Sequence, residues 1–312
     1  MIAIIGFILT SYAVIGNDVI QTLGTFIQSN EGQPWWKLFF YIGGILTIVL
    51  CIGWYINSGD TTYGRLNDIT RPEDMNIWYL VPPLLLLVIT RYGIPVSTTF
   101  LILSIFSSEV LIESMLLKSL LGYAIAFVSA FVVYRFFLYH FEKYNDREEP
   151  KSKRFWTVLQ WFSTAYLWSQ WLIQDFANIY IYLPSRLGIG TMLLSLSVML
   201  VILAFILRLK GGAIQKVVSN KSNSSSIRSA TLIDFIYGSV LLLFTTINNV
   251  PMSTTWAFIG ILAGREIALR NTVYIGTVKA GWKLISMDFL KVTFGIVVSV
   301  GIVLTFKKSG LL

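Results

Sequence analysis

Two short segments carry the residue types best suited to holding a small anion. They are Gly93-Ile94-Pro95-Val96-Ser97-Thr98-Thr99 and Val250-Pro251-Met252-Ser253-Thr254-Thr255. Each sets a proline and three consecutive hydroxyls into an otherwise apolar run. Proline is favoured in the first turn of a helix, where its missing N–H costs nothing, so each copy reads as a helix starting at membrane depth. A helix start offers unpaired N–H groups and partial positive charge, and Ser97, Thr98, Thr99, Ser253, Thr254 and Thr255 add hydroxyl donors beside them. Two such ends facing one cavity make an anion site.

A second pair supplies the opposite chemistry. Asn17-Asp18-Val19-Ile20-Gln21 and Gln174-Asp175-Phe176-Ala177-Asn178 each place a carboxylate between two amides. The following amide is one helical turn on, nearly on the carboxylate's own face. A carboxylate deep in an apolar span faces protein or water and not lipid. Carboxylate and amide oxygens are hard donors that suit a dehydrated Na+, and carbonyls freed where a helix unwinds can complete its shell. Asp18 and Asp175 are therefore the candidate Na+ ligands, with Asn17, Gln21, Gln174 and Asn178 as their companions in ion coupling. Gly16 and Gly24 favour a break in the first helix.

The elements that must position these residues follow from composition. With 55% hydrophobic and 13% charged residues over 312, and a mean hydropathy of +0.70, the chain reads as a polytopic integral membrane protein. Met1-Ile2-Ala3-Ile4-Ile5 has no basic stretch before it, so it reads as the first membrane helix and not a cleaved signal. The net charge of +8 is a matter of loop placement and not of nucleic-acid binding. Cys51, the lone cysteine, excludes an internal disulfide.

Both motifs recur at nearly one offset: 157 residues for the aspartates (175 − 18) and 156 for the prolines (251 − 95). Leu117-Lys118-Ser119 through Gly122 is answered by Leu290-Lys291-Val292-Thr293-Phe294-Gly295. Such a period fits a duplicated half-protein. Spanning helices are expected over 2–27, 35–56, 115–137, 155–183, 187–209 and 285–306, with two re-entrant helical hairpins over 77–108 and 231–263, each cut by its proline motif. Lys143, Arg147, Lys151, Lys153 and Arg154 mark one basic loop. Arg208, Lys210, Lys216, Lys221 and Arg228 mark a second, and Arg265, Arg270, Lys279 and Lys283 a third. Loop 57–76 holds Asp60, Asp68, Glu73 and Asp74 against Arg65 and Arg71. Basic loops stay in the cytoplasm, so each half crosses three times and the two halves run in opposite senses, with both termini outside. The expected fold is all-α: a first inverted repeat over 1–138, a cytoplasmic linker over 139–154, and a second repeat over 155–312. His140 reads as a solvated linker residue and 219–226 as a flexible polar loop. Trp156, Trp161, Trp168 and Trp171 read as packing and interface anchors.

Asn17 to Thr25 resembles the G-A-N-D-V-A-N-A-F-G-T signature of the inorganic phosphate transporter (PiT) family, and Pro95 to Thr99 resembles its P-V-S-T-T-H element. In that family both elements occur twice, in inverted halves. The resemblance implies a secondary phosphate transporter of the cell membrane, without a catalytic residue or a resident cofactor, and pairing of two copies. By it, Asp18, Asp175 and their amides bind the coupling Na+ and help hold the substrate, and the six hydroxyls hold phosphate. The sequence departs from the pattern at Phe100 and Trp256, which replace histidine, and at Gln21 and Gln174, which replace asparagine. It departs again at Tyr180 and Tyr182, which stand where small residues are usual.

Taken alone, the residues give an anion site in an inverted-repeat membrane protein and leave the anion open. Hydrogenphosphate has an O–H that can donate to a carboxylate, whereas sulfate has none and is repelled by one left charged, so two aspartates favour phosphate over sulfate. H+ is the alternative coupling ion to Na+. A receptor built on a transporter fold is a different class of reading. So is an intramembrane aspartyl protease, but no G-x-G-D pattern supports it.

Overall fold

The computed structural model describes residues 1–91, 96–138, 150–209, 227–272 and 278–310. Gly93, Ile94 and Pro95 of the first motif, His140 with most of the 139–154 linker, and the polar loop 219–226 lie outside the described residues. So do Lys143, Arg147, Lys210, Lys216 and Lys221, and the side chains of Gln21, Lys151, Lys153 and Lys291.

Among the described residues every regular element is helical, as expected of a chain that must satisfy its backbone internally in hydrocarbon. The order begins with α1 (Ile2–Val14), a π-helical turn (Ile15–Val19), α2 (Ile20–Ser29) and α3 (Trp35–Ile56). A single 3-10 turn (Ile77–Leu80) leads into α4 (Val81–Arg91), followed by α5 (Thr98–Leu103) and α6 (Glu109–Val133). The second half has α7 (Pro150–Tyr180), α8 (Ile189–Arg208), α9 (Ile227–Ile247), α10 (Thr254–Thr272) and α11 (Val278–Lys308).

Among the described residues, five helical stretches are long and apolar enough to cross a membrane: Ile2–Val19, Trp35–Ile56, Glu109–Phe136, Ile189–Arg208 and Ile227–Ile247. Phe40, Ile48, Leu117, Leu121, Leu194 and Val201 are exposed on α3, α6 and α8, a distribution suited to lipid and not to water. The chain is an integral membrane protein. The span expected over 155–183 is the middle and end of α7, and that over 285–306 lies within α11, whose apolar part is Thr293–Phe306.

The two proline-cut segments differ in length. In the first, Pro82 and Pro83 confine the start of α4 to its first turn, Asn76 caps the preceding 3-10 turn, and α5 has only six residues. In the second, nothing interrupts the helix between Ile227 and Ile247, so α9 reaches 21 residues and α10 has 19. The arm α9 is thus longer than a short re-entrant arm.

The most extensive packing in the fold sets α6 on α10 and α7 on α9. Small residues permit the first of these. A Cβ added at Gly260 would lie 2.5 Å from the Tyr123 carbonyl oxygen, and one at Gly264 would lie 2.1 Å from that of Phe127. The spacing of these glycines lets two backbones touch, which is how membrane helices gain contact without a hydrophobic driving force. On α7, Trp168 and Trp171 stack at 4.9 Å between ring centroids, and the Trp168 indole donates to the Ile42 carbonyl of α3 at 3.0 Å.

Candidate functional site

The π turn at Ile15–Val19 carries Asn17 and Asp18. Such turns loosen the regular ladder of a helix and frequently mark working sites. Asp18 is held there from two directions: its Oδ2 accepts from Thr98 Oγ1 at 2.5 Å, and its Oδ1 accepts from Asn17 Nδ2 at 2.7 Å. Asp175, near the end of α7, has the matching partners. Its Oδ2 accepts from Thr254 Oγ1 at 2.7 Å and its Oδ1 from Asn178 Nδ2 at 2.8 Å.

The hydroxyl motifs are tied to each other as well. Thr99 Oγ1 donates to the Met252 carbonyl at 3.1 Å, and Thr255 Oγ1 donates to the Val96 carbonyl at 3.3 Å. Each motif's last threonine therefore closes on the residue before the other motif's serine. Asn178 Nδ2 also reaches Thr98 Oγ1 and Thr99 Oγ1, both at 3.3 Å, and Asn17 Nδ2 reaches the Val96 carbonyl at 3.4 Å. Ser97 and Ser253 act as helix caps, accepting from the N–H groups of Phe100 and Trp256 at 3.3 and 3.4 Å. The Ser253 N–H donates to Ser119 Oγ of α6 at 2.9 Å.

The structure thus brings Asn17, Asp18, Asp175, Asn178 and all six hydroxyls into one cluster, each side chain no more than 2% exposed. The two carboxylates are near enough to repel each other. Gln174 is buried as well: its Nε2 donates to Thr245 Oγ1 at 2.8 Å and to the Leu241 carbonyl at 3.3 Å, both on α9, and its Oε1 has no partner. The helix-end argument applies unequally, because a helix of six residues at Thr98 sums far less dipole than one of 19 at Thr254.

Several further buried polar side chains brace the helices around this cluster. Tyr237 Oη donates to the Thr254 carbonyl at 2.9 Å from the buried face of α9. Lys118 places its ammonium at 3.0 Å from the Asn248 carbonyl, 2.7 Å from Asn248 Oδ1 and 2.7 Å from the Val250 carbonyl. Those contacts satisfy carbonyls left open where α9 stops. Asp234 joins three helices from inside the apolar run of α9. It accepts from Thr25 Oγ1 at 2.8 Å and from Thr164 Oγ1, joining α2, α7 and α9. Arg65 belongs to a loop by sequence, yet it is 2% exposed, and its Nε donates to the Ile173 carbonyl at 2.9 Å.

The departures from the PiT pattern also have places. Phe100 is fully buried, and Trp256 packs edge-on against Tyr123 and Phe289 at 6.3 and 5.7 Å. Tyr180 hydrogen-bonds Ser195 at 2.9 Å, and Tyr182 donates to the Tyr79 carbonyl at 2.7 Å while its ring covers Gly6. Both tyrosine hydroxyls are spent on scaffold partners.

No protein-family model matches the chain, and no curated protein does. Among solved structures, the fold is similar to one described as the sodium-dependent phosphate transporter, with a TM-score of 0.62 over 98% of each chain. At 15% sequence identity the likeness is one of fold.

Proposed function

We propose that the chain is a secondary transporter of inorganic phosphate, coupled to Na+ and working by alternating access. The observation that carries the proposal is the matched pair of carboxylate–threonine bonds, Thr98 to Asp18 and Thr254 to Asp175. In each, the hydroxyl that an anion needs as a donor is already committed to a carboxylate. Na+ at that carboxylate competes for the same lone pairs and frees the hydroxyl to turn its proton towards an oxyanion. Such competition favours joint binding of cation and anion, and by linkage each tightens the other. A hydroxyl-rich site that binds an anion only after its acidic partners are neutralised is a physical basis for symport.

The proposal extends to topology. The halves 1–138 and 155–312 are read as inverted repeats joined by the 139–154 linker, with loop 57–76 and both ends of this chain on the outer side of the cell membrane. Rocking of one repeat against the other about the midplane cluster exposes it to each side in turn. The crossed Thr99 and Thr255 bonds support an exchange relation between the two motifs. The printed description of the similar structure, a sodium-dependent phosphate transporter, supports the choice of both ions, and two adjacent carboxylates favour an anion that can donate an O–H. The duplicated hydroxyl motifs and this fold likeness favour a transporter over an aspartyl protease. Pairing of two copies remains the expectation set by the PiT resemblance.

Uptake of labelled phosphate into proteoliposomes tests the reading, with an inward Na+ gradient, an H+ gradient or neither. Accumulation driven by Na+ and abolished by Asp18→Asn with Asp175→Asn is expected. No uptake under either gradient, or uptake indifferent to the double substitution, overturns it. Competition by sulfate as strong as that by unlabelled phosphate overturns the choice of anion.

A further inference from the structure

The loop 57–76 is shaped to drive one cation inward. Asp60 organises it, accepting from the Thr62 N–H at 2.7 Å, from Thr62 Oγ1 at 2.6 Å and from the Gly64 N–H at 2.7 Å. Gly64 has a φ of +75°, a backbone conformation that favours glycine, and a Cβ there would press on Asn249 Nδ2 at 3.2 Å. The loop is fastened to the turn after α7 by the Leu187 N–H, which donates to the Gly59 carbonyl at 2.9 Å. The residues flanking Arg65, namely Thr62, Tyr63, Gly64 and Leu66, line a cavity of about 790 Å³ whose charged wall residues are Asp60, Arg71 and Arg186. The Arg65 side chain leaves that cavity and runs into the protein. Its Nε stops at the Ile173 carbonyl, two residues before Asp175, and its charge and that of Asp175 attract each other.

One end of this buried guanidinium is unspent: Nη1 is fully enclosed and has no hydrogen-bond partner. Leaving a charged donor unpaired in a dry interior is costly, and such groups call for a ligand or a role. Lys118, the other buried cation in electrostatic reach, already has its ammonium held by three oxygens of the α9–α10 connection. Two carboxylates and an oxyanion dianion in one enclosed region repel one another, and a buried positive charge nearby offsets that repulsion. A guanidinium suits the task, since its planar fork matches a tetrahedral oxyanion and it is less strongly hydrated than an ammonium.

We propose that Arg65 is the oxyanion-reading residue of this site, its unpaired Nη1 taking an oxygen of a tetrahedral dianion held beside the hydroxyl cluster. This rests on the transporter reading and adds a residue from outside both motifs. It makes the loop 57–76 part of the binding machinery. The duplicated halves need not match here, because the device belongs to one of them.

The test uses the full chain purified in detergent, with Tm read against inorganic phosphate at fixed Na+ and, separately, against Na+ with choline as the balancing cation. Arg65→Gln is expected to weaken phosphate binding about 10-fold or more, the range for losing a charged hydrogen bond. Na+ is expected to bind at least as tightly, since a positive charge that attracts Asp175 has gone. Arg65→Lys keeps the buried charge and so protects folding, but it loses the fork and is expected to fall between the two. Phosphate affinity within twofold of wild type in whichever variant folds overturns the proposal. So does an equal loss of phosphate and Na+ responses, which would mark a purely structural arginine. Absence of any phosphate response in the wild type overturns the transporter reading itself, and that arm is read before any variant.

Discussion

Gly264→Ala puts a single methyl group against a backbone. The new Cβ would stand 2.1 Å from the Phe127 carbonyl oxygen and 3.0 Å from the Phe131 nitrogen. Contacts under 3.0 Å are essentially never found, so α10 must retreat from α6 by roughly 0.9 Å (3.0 − 2.1) or more. A carbonyl engaged in its own helix cannot swing aside as a flexible side chain would. Overpacking of this kind costs about 1–3 kcal/mol. The displacement also reaches the site, because α10 begins at Thr254. Moved bodily by that amount, the 2.7 Å bond from Thr254 to Asp175 stretches to about 3.6 Å, beyond hydrogen-bonding range. The 3.3 Å bond from Thr255 to the Val96 carbonyl is lost as well. Thermal unfolding in detergent should therefore show a Tm lowered by several degrees, and proteoliposome uptake should fall with it. Gly301→Ala on α11 is the control, since nothing lies within 4 Å of its added Cβ. It should leave both readings unchanged or slightly raise Tm, as alanine is the better helix former by about 1 kcal/mol. A Gly264→Ala protein that melts and transports like wild type would refute the claim that backbone contact at this crossing fixes the site.

Two further substitutions probe separate links. Thr254→Val preserves shape but removes the donor to Asp175, and it should cost about 1.5–3 kcal/mol in unfolding experiments while abolishing Na+-driven uptake. Uptake retained with ordinary Na+ dependence would show that this hydroxyl takes no part in coupling. Lys118→Met removes the ammonium that holds Asn248 and Val250, and the freed carbonyls should destabilise the protein by about 2–4 kcal/mol. Limited proteolysis should then cut sooner near Asn249, and a cleavage pattern identical to wild type would count against the clasp.

Much of the site was legible because its chemistry is repeated. A hydroxyl triplet after proline and an aspartate among amides are improbable in apolar spans, and finding each twice in one order ties them to a common centre. Asn17, Asp18, Asp175, Asn178 and the six hydroxyls do converge. Gln174 shows the limit of spacing arguments. It sits where an ion-coupling amide was expected, and its longer side chain anchors its NH2 group on α9 while leaving its Oε1 unbonded, a division that spacing does not reveal. Asp234 is, like Asp18, a carboxylate in an apolar run, but no counterpart in the other half marks it out. Arg65 could not be read from sequence, because loop arginines are ordinarily solvated and only the Asp60-centred turn sends this one inward. The length of α9 was hidden by analogy with its prolyl-broken counterpart, where Pro82 and Pro83 impose an early start that 227–247 does not share.

The two duplicated tips are mechanically unequal. The later one heads a 19-residue rod whose glycines are jammed against a neighbouring main chain, whereas the earlier one ends in little more than one and a half coils. A push applied where they touch will be taken up by the softer member. In the proposed transport cycle the copy containing Ser97 would be the part that yields, and the copy containing Ser253 the anvil it works against.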